Sequence, residues 1–482
     1  MKSPGFVVVL VFAALLVASS VVVSASPLLH PNILLILTDD EDLAVHSAMP
    51  RTKALLEAEG TTFDNFFVTS PFCSPSRATI LRGQYPHNHN VQGNVPPTGG
   101  YEKFSALGLQ ASTVATWLDA AGYRSAIIGK YLNGYEPATH SPAIGWHEWF
   151  IAEGKYYNFR ANWNGTVVQY GSTYSEYQAD VVTRRAMSVV EDAAADKVPF
   201  FLLLTPYGIH APATPAPRYA RGDEAAILDP VVSFDEADVT DKPSIIRALP
   251  AIEPAKLAAI QAYYQKRTRA LRAVDDMVAL LVRTLAETGQ LARTFIVYTT
   301  DNGFHMGEHR IVRQKNTPYE ESIRVPMIVR GPGVPAGQRV AALVINNDIA
   351  PSVAAMAGVE PPSFVDGRSF LPLLHRPDMP WRQSFLIERR ETERHELTDA
   401  AVFDGIRTKH WTYVEYGNGE RELYDLERDP FQLDNRIRTV APALIAALSS
   451  RLAELKNCAA EDCRVAEDLH VHESEPQVNG PE

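Results

Sequence analysis

Four short apolar runs constrain this chain more than any other feature, because each stops at a residue type that does chemistry. Asn32 to Thr38, Ser125 to Ile128, Phe200 to Thr205 and Thr294 to Thr300 are β-branched or Leu-rich, short, and separated by helical patterns. Such runs read as buried parallel strands of an α/β domain. They are followed by Asp39-Asp40, by Lys130, by His210 a few residues on, and by Asp301-Asn302. In an open α/β sheet, ligands bind beyond the carboxyl ends of the strands, so these groups are expected to converge on one site.

Helical patterns fall between the runs, at Ala48 to Glu59, Ala111 to Ala121, Tyr177 to Ala193 and Glu253 to Glu287. Asp348 to Gly358 reads as a capped helix stopped by glycine. The texture changes after the proline-rich piece around Pro361, Pro362 and Pro372. From Trp381 onward, alternating segments such as Val402 to Ile406 and His410 to Tyr416, with an Asn418-Gly419 turn, suggest a small antiparallel sheet followed by a helix near Ala441 to Leu455. The expected division is therefore a large domain over 26–375, a smaller α+β subdomain over 376–466 and an acidic, disordered tail over 467–482.

The N-terminus carries Lys2, an apolar run from Phe6 to Val17, and small residues at Val23-Ser24-Ala25. This is the pattern of a secretory leader cut after Ala25. The competing reading is a single membrane anchor, which the serines at 19 and 20 and the missing charged flank disfavour. No later segment is apolar enough to span a bilayer. Cleavage leaves 457 of the 482 residues, enough for a large core. The expected location is secreted, extracellular or lysosomal in a eukaryote, or exported to the periplasm in a bacterium. The net charge of −12 includes no basic stretch to neutralise phosphates, which argues against nucleic acid as a partner. Asn164-Gly165-Thr166 is a glycosylation sequon in a eukaryotic setting.

The chain has three cysteines. Cys458 and Cys463 are close enough for a small-loop disulfide in an exported protein, which leaves Cys73 alone. Cys73 lies in Ser70-Pro-Phe-Cys-Ser-Pro-Ser-Arg77. Pro75 would open a helix over Ser76 to Leu81, placing Cys73 just before a helix N-terminus, where free N–H groups favour an anion. Arg77 would reach the same anion. A buried structural cysteine is the plain alternative. A cysteine phosphatase fits poorly, since five residues separate its cysteine and arginine, and here three do.

Cys73-Ser-Pro-Ser-Arg77 resembles the C-x-P-x-R sequence that marks sulfatases for formylglycine formation, continued by Ala78-Thr-Ile-Leu-Arg-Gly83. Pro31 to Asp40 resembles the opening strand of that family, Gly129-Lys-Tyr-Leu-Asn133 its lysine segment, Thr300-Asp-Asn-Gly303 its second metal segment, and Lys315-Asn-Thr-Pro-Tyr-Glu320 its later lysine segment. The resemblance implies an alkaline-phosphatase-like sandwich with a large, mostly parallel central sheet flanked by helices. It also implies that Cys73 becomes formylglycine (3-oxoalanine), through a formylglycine-generating enzyme acting during maturation. Asp39, Asp40, Asp301, Asn302 and an oxygen of residue 73 would hold calcium, with magnesium as the close rival on the same hard oxygens. Arg77, Lys130 and Lys315 would stabilise sulfate, and His210 or Lys315 would protonate the leaving alcohol. The implied reaction cleaves sulfate monoesters of a sugar or aryl alcohol through a covalent sulfate intermediate.

The chain departs from the family pattern in one place. Many sulfatases carry a histidine two or three residues after the first lysine, and here Leu132 and Asn133 stand there. His210, His305 or His309 would share its task, although His305 and His309 are spaced for one helical face. Gly129 to Tyr135, Gly145-Trp-His-Glu-Trp149, Lys155 to Phe159 and Cys458 to Arg464 resemble the branch of N-acetylglucosamine-6-sulfatases, arylsulfatases and endosulfatases. Without a long basic insertion, the endosulfatase reading is disfavoured. The alternatives are a phosphonate monoesterase or phosphodiesterase of the same superfamily, and a non-catalytic glycan-binding protein on this fold.

Overall fold

The computed structural model describes residues 1, 30–221, 227–390 and 401–470. The expected leader falls outside these residues apart from Met1, as does the chain beyond 470. Among the described residues, no helix is long and apolar enough to cross a membrane.

The four apolar runs are neighbouring parallel strands in the order Thr294–Thr300, Asn32–Thr38, Phe200–Thr205 and Arg124–Gly129. They form the middle of a ten-stranded mixed sheet. Beyond Arg124–Gly129 lie Glu148–Ala152, parallel, and then the antiparallel pair Arg160–Trp163 and Thr166–Gln169. On the other side, Ile328–Arg330 pairs antiparallel with Thr294–Thr300, and Thr61–Phe63 and Gln338–Val340 complete the edge.

The run Asn32–Thr38 is uniformly apolar because both of its faces are covered. Ile33, Leu35 and Leu37 enter one core layer, and Leu34 and Ile36 enter the other. Helices Gln178–Asp196 and Pro254–Glu287 close the second layer through residues such as Val182, Val190, Val274 and Val278. Helices Val114–Ala120, Ile349–Met356 and Cys73–Arg82 close the first. The cysteine helix therefore lies against the sheet that carries the strand-end groups.

A second, four-stranded antiparallel sheet follows, Ser384–Arg389, Phe403–Thr408, Trp411–Tyr416 and Arg421–Asp425, each strand pairing with the next. Helix Pro442–Leu455 packs through Leu444, Leu448 and Leu452 into the same apolar layer as Phe385, Ile406 and Val414. Cys458 and Cys463 are disulfide-bonded.

Several expectations need correction. The cysteine helix begins at Cys73 itself, with Pro75 as its third residue. Asp348 does not cap the helix it precedes, because its carboxylate accepts from Ile345, Arg368 and Arg382 instead. His305 lies on the short strand His305–Met306, and Gly307 at φ 142° turns the chain before His309, so the two histidines share no helix. The segment from Glu467, read as the start of a tail, is helical through Asp468, and Glu467 is buried.

Candidate active site

The ends of the four central strands do converge. Asp39 follows Thr38, Lys130 follows Gly129, and Asp301-Asn302 follow Thr300, all on neighbouring strands. Gly129 adopts φ 122° where a Cβ would meet the Thr205 carbonyl at 2.0 Å, so the turn that delivers Lys130 requires glycine. His210 arrives from the loop after Phe200–Thr205, and Lys315 from the loop after the strand Val312–Gln314.

Cys73 sits among these groups, 1% exposed. Its Sγ lies 3.8 Å from Asp39 Oδ1 and accepts from Lys315 Nζ at 2.8 Å. Lys315 also donates to Asp40, and Lys130 donates to Asp39 Oδ2 at 2.5 Å. Arg77, one helical turn beyond Cys73, donates from Nε to Asp301 Oδ2 at 2.8 Å and places Nη2 3.4 Å from Asp39 Oδ2. His210 Nε2 lies 3.8 Å from Asp40 Oδ2, while Nδ1 faces the Tyr207 hydroxyl at 2.7 Å and the Ala211 carbonyl at 3.0 Å.

Burial works to raise all three carboxyls, and the outcome differs by neighbour. For Asp39 the attraction of Lys130, His210, Arg77 and Lys315 wins and holds the group well below the usual carboxylate range. Asp40 is lowered too, chiefly by Lys315 and His210 against its burial. Asp301 stays raised, because burial and the Asp39 charge outweigh Arg77 and the lysines. Burial pushes the Cys73 thiol up to about 12, with Lys130 and Lys315 pulling the other way. The bare thiol in this pocket is thus a poor nucleophile.

The donor set suits a hard divalent cation. Ligand atoms of Asp39, Asp40 and Asp301 all lie within 4.8 Å of one another. Asn302 donates its Nδ2 to Asp40 Oδ1 at 2.7 Å, and its buried Oδ1 has no hydrogen-bond partner among the described residues. An orphaned buried carbonyl beside three carboxylates is what a cation bound by oxygen would satisfy.

Two asparagines, of which only Asn133 had a sequence signal, complete the pocket. Asn94 accepts the Ser74 backbone N–H at 2.8 Å, fixing the start of the cysteine helix. Asn133, which stands near the position of the missing histidine, lies 3.1 Å from the Ser74 hydroxyl and carries no titratable group. Of the three histidines considered, His210 is the one whose ring lies against Asp39 and Cys73. His305 faces the Thr317 hydroxyl at 2.7 Å, and His309 pairs with Glu236 and stacks on Tyr319. Both therefore buttress the loop that carries Lys315. A cleft of about 360 Å³ opens beside Lys130 and His210, lined among others by Asn133, Tyr135, Glu136, Glu153, Lys155 and Arg160.

Comparison with known proteins gives the same direction. Residues 31–359 match the family described as Sulfatase, and residues 307–458 match N-sulphoglucosamine sulphohydrolase, C-terminal. A putative extracellular sulfatase Sulf-1 homolog of Caenorhabditis elegans is 36% identical over 374 residues, covering 74% of this chain and 52% of that protein. This chain thus spans about half the length of that relative. The N-acetylglucosamine-6-sulfatase of Homo sapiens is 32% identical over 478 residues, covering 90% of this chain and 86% of that protein. A structure described as being in complex with its substrate, D-glucosamine-2-N,6-O-disulfate, superposes with a TM-score of 0.73 at 24% identity, covering 91% of this chain and 99% of the other.

Proposed function

The chain belongs to the sulfatase family, and from that premise we propose that it hydrolyses sulfate monoesters, using formylglycine made from Cys73 and calcium held by Asp39, Asp40, Asp301 and Asn302. The observation that carries the reading is the position of Cys73, at the first turn of a helix, enclosed by Asp39, Arg77 and Lys315.

Charge balance explains why such a pocket takes an anion. Asp39, Asp40 and Asp301 face Arg77, Lys130 and Lys315, so the side chains alone nearly cancel. A bound divalent cation would add positive charge and, as a Lewis acid, make a neighbouring hydroxyl easier to ionise. Hydrated formylglycine would supply two hydroxyls, one to attack sulfur and one whose deprotonation expels sulfate. Arg77, Lys130 and Lys315 then offer fixed donors to the sulfate oxygens, preorganised by the same carboxylates that keep them charged. Burial alone would lower these three groups; the facing carboxylates hold them up.

Two proton transfers remain. His210 borders the cleft, and with Nδ1 held by Tyr207 and Ala211 its Nε2 faces Asp40 at 3.8 Å, so the ring suits protonation of the leaving alcohol. With Asn133 near the usual histidine position, the same ring is the candidate base for sulfate release. The substrate is read as a sulfated sugar of the glucosamine 6-sulfate type, with aryl sulfates as surrogates. The cleft supports this by combining tyrosines with Glu136, Glu153, Lys155 and Arg160, groups that suit hydroxyl-rich rings. An exported enzyme fits these assignments.

Mass spectrometry of the peptide containing residue 73, from protein made in a host that forms formylglycine, tests the nucleophile. An aldehyde is expected; an unmodified thiol in fully active protein overturns the reading. Turnover of glucosamine 6-sulfate, an aryl sulfate and an aryl phosphonate by one preparation tests the substrate class. The sulfate esters should be preferred, and preference for the phosphonate would overturn the assignment.

A further inference from the structure

Thr38 is followed by four acidic residues, Asp39, Asp40, Glu41 and Asp42, and all four are buried. Two face the catalytic pocket and two do not. Glu41 accepts from Thr38 and Tyr298 and contacts His46 Nδ1 at 2.6 Å. Asp42 accepts the Val45 N–H on one oxygen at 2.9 Å and a hydrogen bond from Arg267 Nη1 on the other at 2.6 Å.

Arg267 lies within the long helix Pro254–Glu287 and is itself fully buried. Its second terminal nitrogen donates to the backbone carbonyl of Asp40, and its guanidinium carbon sits 4.4 Å from the centre of the Phe304 ring. Asp40 has φ 61°, in the left-handed region that non-glycine residues avoid unless their surroundings hold them there. That turn aims its carboxylate at Asn302, Lys315 and His210.

We propose that Arg267 is a positioning residue for the metal site, pinning the left-handed turn at Asp40 while occupying the Asp42 carboxylate so that it stays out of the ligand set. This rests on the reading of Asp39, Asp40, Asp301 and Asn302 as cation ligands. The planar fork of arginine matters, because one cation must reach a carboxylate and a carbonyl at once. Lysine supplies the charge without the fork. Groups that orient metal ligands from behind change affinity by roughly 10–100-fold when removed.

The test is calcium titration calorimetry on metal-stripped wild type, Arg267→Met and Arg267→Lys, with unfolding followed by circular dichroism. Wild type should bind calcium, and Arg267→Lys, which keeps a positive charge beside Asp42, should fold but bind at least about tenfold more weakly. Arg267→Met, if folded, should be weaker still. A folded Arg267→Lys protein with wild-type affinity overturns the proposal. Absence of calcium binding by wild type would overturn the metal reading, and the inference with it; loss confined to the variants supports both.

Discussion

Two buried charge clusters in this protein both pair an arginine with aspartates and are finished differently. At the seam between the large and small sheets, Arg382 donates from Nε to Glu467 and from both terminal nitrogens to Asp348. The remaining carboxylate oxygen of Glu467 accepts from Tyr85, and Asp348 also accepts the N–H groups of Ile345 and Arg368. Every oxygen of both carboxylates and every nitrogen of Arg382 has a partner. At the strand ends, by contrast, Asn302 Oδ1 has no hydrogen-bond partner among the described residues, and Arg77 Nη2 has only the ion pair with Asp39 at 3.4 Å. A saturated cluster costs much to break and binds nothing further; an unsaturated one is held ready for a ligand. Between these two clusters, saturation differs more than burial or charge does.

The largest expected effect comes from the unsaturated cluster. Cys73→Ala should cut sulfate ester turnover by at least about 10⁴-fold while leaving the thermal midpoint near that of wild type. Activity within tenfold of wild type would remove residue 73 from the chemistry. The mirror experiment is Arg382→Met, which strands two buried carboxylates and should destabilise by about 3–5 kcal/mol in denaturant titration. Turnover per folded molecule should be unchanged, and a loss of kcat without loss of stability would contradict the contrast.

Histidines provide a subtler probe. Burial acts to lower His46 and His309, but the carboxylates of Glu41 and Glu57, and of Glu236 and Glu321, raise both to about 9. Their contribution is complete below the unfolded value near 6.5 and disappears as pH rises through about 9. Each should account for up to about 3 kcal/mol, so the thermal midpoint of metal-free protein should fall between pH 6.5 and 9. A flat midpoint would mean that these pairs are not ionised as the geometry indicates. Last, the disulfide closes a separation of only 5 residues. Replacing both cysteines by alanine should cost roughly 2 kcal/mol by loop entropy, with kcat retained.

What could be read in the sequence follows from how local each signal was. The four central strands were legible because strands covered on both faces leave continuous apolar runs, and a run that ends in Asp39-Asp40 or Asp301-Asn302 announces itself. That Cys73, Arg77, Lys130, His210 and Lys315 would meet in one pocket was legible through motif and position. Arg267 was not, since it lies in a helix whose periodicity looks ordinary and acts on a residue 227 positions away. Nor could spacing show that Asp42 turns away from the pocket that Asp40 enters. The i, i+4 spacing of His305 and His309 suggested a helix, and Gly307 defeated it. The outer strands Ser384–Arg389 and Arg421–Asp425 went unrecognised because buried Glu388 and Glu422 break their apolar pattern, each met in part by a partner distant in sequence, His87 and Tyr319.

The strand order also sets a timetable. Strand Thr294–Thr300 inserts beside Asn32–Thr38, and Lys315 closes on Asp40 across 275 residues of sequence. The pocket around Cys73 cannot be completed until more than three hundred residues have been synthesised, although Cys73 itself emerges early. Once the fold closes, its 1% exposure leaves no room for another protein to act on it. Any enzyme that alters this cysteine must therefore work during the interval between its synthesis and the arrival of the strand that seals it.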